Sequence, residues 1–579
     1  MNCFISLTRG ALLVLVLAGM TACTSGGNTV NQAPEHETQP VNTGRPLPRK
    51  AEESPQRDAM SKHSEVNRAR FMEQHVMNPS APAAVGTMVV PHAWRYPSEP
   101  VNRENYAHFD DNPVKRVAEA PVSTFSIDVD TGAYANVRRF LNQGSLPVKD
   151  AVRVEEMINY FSYDYPLPKD RSRPFSITTE MAPAPWNRDT FLLHVGLKGY
   201  EVDASQRPAA NLVFLVDVSG SMMSPDKLPL LKSGLKLLVQ QLRAQDRVAL
   251  VVYAGSTGLV LEPTPGDQKG KILAALEGLG AGGSTNGGAG IRLAYAMAEQ
   301  GHIPGGINRV LLATDGDFNV GTVNFEALKN LIEEKRNTGI SLTTLGFGTG
   351  NYNDHLMEQL ADAGNGNHAY IDTLKEANKV LVTEIASTLQ TIAKDVKIQI
   401  EFNPAVVAEY RLIGYENRAL KNEDFSNDKV DAGDIGAGHT VTAIYEIALA
   451  DGRGARLEPL RYGSGNRTVK GDKDEVAMLR LRYKLPDGNH SRLLEQPLKT
   501  ADIQRNVAGT SDNFRFSAAV AAFGQVLRGG TYTNDFGHDD IVKLARGTLG
   551  KDAFGYRGEF VTLVNLAKSL AGANRQAKR

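Results

Sequence analysis

Leu212-Val213-Phe214-Leu215-Val216 is an uninterrupted apolar run that leads directly into Asp217-Val218-Ser219-Gly220-Ser221, and this stretch decides the fold. Residues 248–252 and 310–313 form two further apolar runs without a polar alternation. Strands that are apolar on both faces are typical of a parallel sheet covered by helices on each side. The sequence therefore predicts a buried parallel sheet in this region.

Segments with helical spacing separate the apolar runs. Between the first two runs, leucines recur at intervals of three and four residues from Leu228 to Leu242, which predicts an amphipathic helix. Further helices are predicted within 272–276, 291–297, 325–336 and 352–363, and further strands at 341–345 and 368–371. Strands that alternate with helices predict a doubly wound, mostly parallel α/β domain. We assign residues 206–390 to it.

The segments on both sides of this domain alternate with a period of two. Phe191, Leu193, Val195 and Leu197 share one face of a predicted strand, and residues 396–402 and 477–483 alternate in the same way. This pattern is typical of antiparallel strands. We predict that the α/β domain is inserted into a β-sandwich, built from an N-terminal segment of helices and strands (115–205) and an antiparallel β domain (391–500), and that a small helical region (501–579) follows.

Two helices are predicted in the N-terminal segment. Asp130 or Thr131 is expected to cap a helix that runs through Phe140, and Asp150 a helix from Ala151 to Phe161. The pair Asp128 and Asp130 invites a metal-binding interpretation, but turns and caps explain these residues better.

The N-terminus has the features of an export signal. Arg9 precedes the apolar run 11–18, which is too short to span a bilayer as a helix. The following Met20-Thr21-Ala22-Cys23 resembles a bacterial lipoprotein signal, which implies removal of residues 1–22 and attachment of lipid to Cys23. The alternative is an ordinary signal peptide cut near Ala22 that leaves Cys23 as a free thiol.

If Cys23 is lipidated, the chain is anchored to a membrane of the bacterial cell envelope. Thr24, rather than Asp, follows the cysteine, and the resemblance to enteric lipoproteins then favours the outer membrane. Cys3, the only other cysteine, lies in the removed segment, so the mature chain forms no internal disulfide. Residues 23–114 are rich in polar residues and proline without regular periodicity, and we predict a flexible tether.

The overall charge gives no support for nucleic-acid binding. The 579 residues contain 64 Lys and Arg against 65 Asp and Glu, a formal net charge of −1. Such a balance supplies no broad attraction for nucleic acid or for an anionic membrane surface.

Oxygen-bearing side chains follow the buried strands. Asp217, Ser219 and Ser221 follow the first strand, Thr285 precedes a predicted helix, and Asp315 follows the 310–313 strand. Ligands of open α/β sheets bind beyond the carboxyl ends of the strands, where the strand order reverses. If the first strand and the 310–313 strand flank that reversal, these loops converge. Carboxylates and hydroxyls suit Mg²⁺ or Mn²⁺ far better than zinc or copper.

With this pattern, the region resembles a von Willebrand factor type A (vWA) domain with a metal-ion-dependent adhesion site, D-x-S-x-S followed by a distant Thr and a distant Asp. All five positions are present. The resemblance implies that these five residues hold Mg²⁺ or Mn²⁺, and that the ion binds an exposed Asp or Glu of a protein partner. Without the ion, the two carboxylates are expected to repel each other. Alanine at position 217 is therefore expected to keep or gain stability without metal.

The whole chain also resembles a group of bacterial lipoproteins without an assigned activity. They join a vWA domain to a characteristic preceding segment, here 125–165, and to a C-terminal region of unknown function. This resemblance implies an architecture and leaves the partner and the oligomeric state open.

Three other patterns in the sequence have a simpler explanation than a second site or an enzyme. Asp315, Asp317, Asn319 and Glu326 fit four positions of an EF-hand loop, but the glycine is displaced by one position and a strand precedes the loop. Residues 278–283 spell G-x-G-x-x-G but follow a helix, so a dinucleotide site is not indicated. Asp217-Val218-Ser219 resembles the start of an aspartyl-phosphate hydrolase motif, but Ser219 stands where that motif has a second carboxylate that acts as acid or base. The absence of this carboxylate argues against an enzyme.

The sequence thus favours a non-enzymatic, metal-dependent protein-binding or adhesion protein. Two alternatives stay open. One is a structural envelope protein whose metal site is satisfied by an internal carboxylate, and the other is a hydrolase, for which a nucleophile and base are lacking.

Overall fold

The computed structural model describes residues 103–283, 287–316, 325–458 and 473–577. The predictions for the signal segment, Cys23 and Thr285 lie outside these residues. None of the helices within the described ranges combines the length and the apolar character needed to cross a membrane.

The described chain has three consecutive parts. The first contains β1 (Lys115–Arg116), β2 (Val122–Ser126), α1 (Gly132–Asn142), α2 (Val154–Asn159), β3 (Phe175–Ala184) and β4 (Asn187–Gly199). The second contains β5 (Ala210–Asp217), α3 (Leu228–Gln240), β6 (Arg247–Tyr253), β7 (Thr257–Pro265), α4 (Lys269–Glu277), α5 (Gly287–Gln300), β8 (Ile307–Thr314), α6 (Phe325–Asn337), β9 (Ile340–Phe347), α7 (Asp354–Ala363), β10 (His368–Ile371), α8 (Leu374–Asn378) and α9 (Ile385–Leu389). The third contains β11 (Thr391–Phe402), β12 (Val407–Ile413), β13 (Ile435–Gly436), β14 (Thr440–Leu449), β15 (Glu475–Lys484), β16 (Arg492–Lys499), α10 (Asp512–Leu527), α11 (His538–Arg546) and α12 (Tyr556–Ala577).

The central part is a six-stranded sheet in the order β10-β9-β8-β5-β6-β7. Its strands are parallel except for β7, which runs antiparallel to β6 at the edge. This confirms the predicted doubly wound α/β fold. The sequence did not predict β7, because its outward Leu259 and Val260 are each 41% exposed and do not produce a buried-strand pattern.

The burial of strand β5 explains why residues 212–216 form an unbroken apolar run. All eight of its residues are buried. Leu212, Phe214 and Val216 belong to the core that includes the buried leucines of α3, whereas Val213 and Leu215 belong to a second core that includes the apolar face of α5. Because successive side chains of a strand point to opposite faces, both faces of the sheet need apolar residues.

The flanking strands form two antiparallel sheets. One has the order β1-β12-β14-β4-β3, and in the other β11 pairs with β2, β13 and β15, which in turn pairs with β16. Apolar residues of both sheets share one core, in which the Phe125 and Phe402 rings of the second sheet contact Tyr445 of the first, with centroids 6.2 and 5.5 Å away. Each sheet combines strands from before and after the central part. The predicted insertion into a β-sandwich is therefore confirmed.

The C-terminal helices do not form a separate core. They pack in one apolar cluster with α1, α2 and residues of the first antiparallel sheet. Phe161, just after α2, contacts Phe516 of α10 and Phe560 of α12 with ring centroids 4.9 and 5.9 Å apart. The small helical region predicted at 501–579 thus completes a layer that the N-terminal segment begins.

The predicted helix caps are wrong. Thr131 makes no capping hydrogen bond at the start of α1, and Glu156 of α2 accepts from the Ala133 amide at 2.8 Å instead. Asp130 accepts from the His368 amide at 2.8 Å, and Asp150 pairs with His108 rather than capping α2. In each case a partner distant in sequence replaces the local contact that the sequence pattern indicated.

Residues 103–114, predicted as the end of the flexible tether, lie on the folded body. The Glu104 carboxylate accepts two hydrogen bonds from the Arg139 guanidinium, at 2.9 and 2.8 Å. The Asn112 side chain donates to the Gly414 carbonyl at 2.7 Å. These anchors are polar and non-periodic, so hydrophobic periodicity could not reveal them.

Arg138 of α1 joins the three parts of the chain. Its guanidinium, in a side chain only 2% exposed, bonds Asp372 at 2.5 Å and Glu376 of α8 at 2.7 Å, and lies 3.3 Å from Glu559 of α12. Removing one partner of a buried ion pair leaves an uncompensated charge in the interior.

Arg138→Met is therefore expected to destabilise the protein by about 3–5 kcal/mol, measured as a shift of the urea unfolding midpoint. Arg480→Met is the matched control. Arg480 pairs with Glu401 and Glu495 on the surface and is 27% exposed, so its loss should amount to less than about 1 kcal/mol. Equal effects of the two substitutions would show that Arg138 does not hold the three parts together.

Candidate functional site

The candidate site lies where the strand order of the central sheet reverses. From β5 the chain continues to β6 and β7 on one side, and β8, β9 and β10 lie on the other. Strands β5 and β8 are parallel neighbours, with Val216 opposite Ala313. Asp217 ends β5 and Asp315 follows β8 directly, so the reversal brings the two carboxylates to the same edge.

Asp217 is completely buried and held by three hydrogen bonds. Its Oδ1 accepts from the Ser219 amide at 2.8 Å, and its Oδ2 accepts from the Thr314 hydroxyl at 2.9 Å and the Tyr253 hydroxyl at 3.2 Å. Thr314 ends β8 and Tyr253 ends β6. The carboxylate of Asp217 is thus fixed by both strands that flank β5.

The two serines lie beside this carboxylate. The Ser219 hydroxyl is 3.1 Å from the Ser221 hydroxyl. Ser219 is 2% exposed, whereas Ser221 is exposed and Met223, two residues further on, is 67% exposed. The first loop therefore leads from a buried carboxylate to the protein surface.

Asp315 is also completely buried, and it has a cationic partner. The Lys227 ammonium, at the start of α3, lies 2.9 Å from Asp315 Oδ2 and 2.9 Å from the Asn351 side-chain oxygen. The Ser221 and Asn351 side chains hydrogen-bond Asp315 as well. Asp315 thus contacts the first loop and the loop that precedes α7.

The two carboxyl groups differ in their electrostatics. Burial raises the pKa of Asp217, and the negative charge of Asp315 raises it further, against the opposing hydrogen bonds of Ser219 and Thr314. Burial also acts to raise the pKa of Asp315, but Lys227, Asn351 and Ser221 outweigh it and lower that pKa below its usual range. The charged form is disfavoured at Asp217 and favoured at Asp315.

The loop that leads to Thr285 is bound to the Asp217 loop. The Gly220 amide donates to the Gly283 carbonyl at 3.0 Å, and the Gly282 amide donates to the Val218 carbonyl at 2.7 Å. Gly283 has a φ of +85°, a conformation that favours glycine. Thr285 itself stays a prediction, because it lies outside the described residues.

Glycine is required at position 316, directly after Asp315, because the backbone of Tyr352 and Asn353 passes very close to it. Its φ is +86°, and a Cβ atom there would lie 2.3 Å from the Asn353 backbone nitrogen. A larger residue would separate the Asp315 loop from the loop that carries Asn351.

The structure brings together four of the five predicted residues: Asp217, Ser219, Ser221 and Asp315. The sequence pattern did not indicate four further residues of the site: Tyr253, Thr314, Lys227 and Asn351. Tyr253 and Thr314 could have been found, because both end strands next to Asp217. Lys227 is 88 residues from Asp315 and 124 residues from Asn351 in the sequence. Nothing in the local sequence of Lys227 or Asn351 indicates these contacts.

The donor set fits a hard divalent cation. Two carboxylates and two hydroxyls meet at one edge, and the donors are oxygens, which Mg²⁺ and Mn²⁺ prefer. Within the described ranges, no cluster of three or more His, Cys, Asp or Glu side chains could hold a metal ion. A metal here would thus depend on the hydroxyl oxygens as well as on Asp217 and Asp315.

The other sequence candidates that lie within the described residues do not form a second site. Asp128 and Asp130 lie in a buried ion-pair network, in which the Arg418 guanidinium is 3.3 and 3.4 Å from their carboxylates. Gly278 ends α4, in agreement with the prediction that the glycine pattern follows a helix. Asp317 and Asn319 of the EF-hand-like pattern lie outside the described residues.

Comparison with protein families divides the chain in the same way. Residues 100–194 match a model described as von Willebrand factor, residues 211–384 one described as von Willebrand factor type A domain, and residues 387–570 one described as Uncharacterized protein YfbK, C-terminal. The chain is 51% identical over 469 residues to the protein YfbK of Escherichia coli (strain K12), and the match covers 80% of each chain. The chain belongs to the YfbK family. This member therefore carries a vWA domain between a segment that matches the von Willebrand factor model and the C-terminal region of the family.

More distant similarity is confined to part of the chain or to the fold. Inter-alpha-trypsin inhibitor heavy chain H4 of Homo sapiens is 29% identical over 146 residues, which cover 24% of this YfbK-family chain and 16% of the human protein. The structure of a von Willebrand factor type A protein from Catenulispora acidiphila is 17% identical, covers 69% of this chain and 91% of its own, and has a TM-score of 0.39. vWA domains commonly bind protein ligands, and the names of the YfbK protein and of the human heavy chain H4 are not enzyme names.

Proposed function

We propose that this protein is a lipid-anchored component of the bacterial cell envelope that binds a protein partner through a divalent cation at the vWA site. The observation that supports this most is the meeting of Asp217 and Asp315 at the strand-order reversal, next to the Ser219 and Ser221 hydroxyls. The loop that carries Ser219 and Ser221 opens onto the surface at Ser221 and Met223.

The residues of the site have distinct functions in this proposal. Asp217 and Asp315 supply the negative charge, Ser219 and Ser221 supply neutral oxygens, and Thr285 is the predicted fifth donor. Tyr253 and Thr314 hold Asp217 in place. Mg²⁺ or Mn²⁺, when bound, would offer a coordination position for an Asp or Glu side chain of the partner. The proposed activity is binding, without a chemical step.

Capture of the partner tests this function. Full-length protein immobilised on beads should retain a protein from detergent-solubilised envelope extract in the presence of Mg²⁺ or Mn²⁺ and release it when EDTA is added. The bound protein is identified by mass spectrometry and its acidic surface residues are replaced with their amides, which should weaken binding. Retention that is unaffected by EDTA would favour the alternative of a structural envelope protein.

The lipid anchor has a separate test. Cys23→Ser is expected to prevent lipid attachment and to release the protein from the membrane fraction, because a lipid chain is the proposed anchor. Fractionation of cells that produce wild-type protein or the variant, with separation of inner and outer membranes, measures the change. Metal binding by the released variant should stay unchanged, which serves as a control for correct folding. A variant that still sediments with the outer membrane would contradict the proposed anchor.

A further inference from the structure

Lys227 is a buried cation placed inside an acidic site. The residue is 6% exposed, and its ammonium bonds Asp315 and Asn351 at 2.9 Å each. Lysine is rarely so buried unless its charge is paired. Here the pair is with a carboxylate that the proposed function assigns to the metal.

The path of the Lys227 side chain is built into the fold. Its methylene stem crosses Gly348, where a Cβ atom would lie 2.2 Å from Lys227 Cε and 2.4 Å from Cγ. Gly348 has a φ of +76°, which favours glycine, and the absence of a Cβ atom leaves room for the Lys227 side chain. The ammonium is thus directed to Asp315 by the shape of the loop after β9.

The position of this charge bears directly on cation binding. When both are ionised, Asp217 and Asp315 together carry a charge of −2, and the Lys227 ammonium reduces the total to −1. The affinity of an oxygen site for a divalent cation depends on the charge of its ligands. An ammonium beside one of two carboxylates also repels an incoming divalent cation.

We propose that Lys227 is an internal counter-cation that competes with the divalent cation for Asp315. In the metal-free protein the ammonium neutralises Asp315 and keeps the site compact. When a divalent cation binds, the ammonium is displaced from Asp315. A carboxylate from the partner restores negative charge, so metal and partner bind more tightly together than either does alone.

This inference rests on the proposed metal-dependent function, and one set of titrations separates the two. Mn²⁺ alone is titrated into full-length wild-type protein and variants, and free Mn²⁺ is followed by electron paramagnetic resonance. Lys227→Met keeps most of the apolar stem and removes the charge, so its Mn²⁺ affinity should rise by at least about tenfold. Lys227→Arg keeps the charge and should stay within about threefold of wild type.

Lys236→Met is the control for loss of a lysine on the same helix. Lys236 pairs with Glu277 on the surface of the α3–α4 pair, two turns further along α3, and its removal should leave Mn²⁺ affinity unchanged. Equal affinity of wild type and Lys227→Met would overturn the counter-cation and leave the metal site intact. Failure of both to bind Mn²⁺ would overturn the metal-dependent function together with this inference.

A measurement on the wild-type protein covers the case in which Lys227→Met does not fold. Lysine acetylation by a small reagent, mapped by mass spectrometry, should be slow at Lys227 in EDTA, because the ammonium is buried and paired. Mn²⁺ should increase acetylation at Lys227 several-fold relative to Lys236. If Mn²⁺ binds and leaves the acetylation of Lys227 unchanged, the displacement is wrong.

Discussion

Asp217→Ala is expected to abolish the thermal stabilisation of this protein by Mg²⁺ or Mn²⁺ and, with it, binding of the partner. A ligand that binds only the folded state stabilises it by about 2.7 kcal/mol at a concentration of one hundred times its Kd. The variant removes one of two carboxylates in the site, so this contribution should vanish. Differential scanning calorimetry of the full-length protein, with EDTA and with increasing Mn²⁺, measures the difference.

The structure changes the expectation for the same variant without metal. From the sequence alone, we expect that removing Asp217 relieves repulsion from Asp315 and keeps or raises stability. However, the Asp315 charge is paired with Lys227, and Asp217 accepts from Ser219, Thr314 and Tyr253. Alanine removes the acceptor of these buried donors, so we expect a loss of about 1–3 kcal/mol in EDTA.

Asp217→Asn is the matched variant for this experiment. Asparagine keeps an oxygen acceptor of similar size and removes the charge, so it should be nearer to wild type in EDTA and still fail to respond to metal. A variant with asparagine that gains as much stability from Mn²⁺ as wild type would show that the Asp217 carboxylate is not a metal ligand.

The sequence predicted the central sheet well because strands that are buried on both faces require continuous apolar runs, which are easily recognised. Strand β5 is buried on both faces, and its apolar run 212–216 admits no polar residue. The alternation at Phe191 and Leu193 correctly predicted a strand at β4. It did not show that the other face is buried too, because Leu192 packs in the core of the C-terminal helices. Strand β7 was missed because an edge strand with exposed Leu259 and Val260 has neither pattern.

The candidate site was predicted as far as a local motif extends. The spacing of Asp217, Ser219 and Ser221 is a property of one loop, and Asp315 could be placed by its position after a strand. Lys227 has no such position, since its contact with Asp315 depends on how the loop after β9 passes α3. The sequence thus indicates which oxygen atoms can bind a cation. Only the fold shows that the positive charge of Lys227 lies beside them.

Deleting residues 103–205 is expected to prevent the segment 391–579 from folding, although the two are separated by about 185 residues of chain. Strand β2 pairs with β11 along Lys397–Glu401, and β4 pairs with β14 along Thr440–Ile447. Without residues 103–205, the first sheet loses β1, β3 and β4, the second loses β2, and the shared apolar core loses one of its sides. A sheet edge that exposes an apolar face is unstable and prone to aggregate.

The central segment 206–390 should behave in the opposite way and fold alone. Its two large apolar cores consist of residues between Ala210 and Leu389, with no member from either flank, and only in a smaller cluster do Tyr352 and Met357 pack against Ala135 of α1. Cooperative urea unfolding, followed by circular dichroism and by resistance to limited proteolysis, should be seen for this fragment and not for 391–579.

The two flanks should fold together when the central segment is replaced by a short flexible linker. The Gln390 carbonyl accepts from the Ala437 amide at 2.9 Å, and the Tyr200 carbonyl accepts from the Gly438 amide at 2.9 Å. The two ends of the insertion thus contact adjacent residues, and a Gly-Ser linker of about ten residues, with a mean span of about 15–20 Å, can join them. Such a chain lacks the ion pairs of Arg138 with Asp372 and Glu376, so it should be less stable than the full protein but still unfold cooperatively. If 391–579 alone unfolds as cooperatively as this linked chain, its sheets do not need the N-terminal strands, and the insertion does not determine how the protein folds.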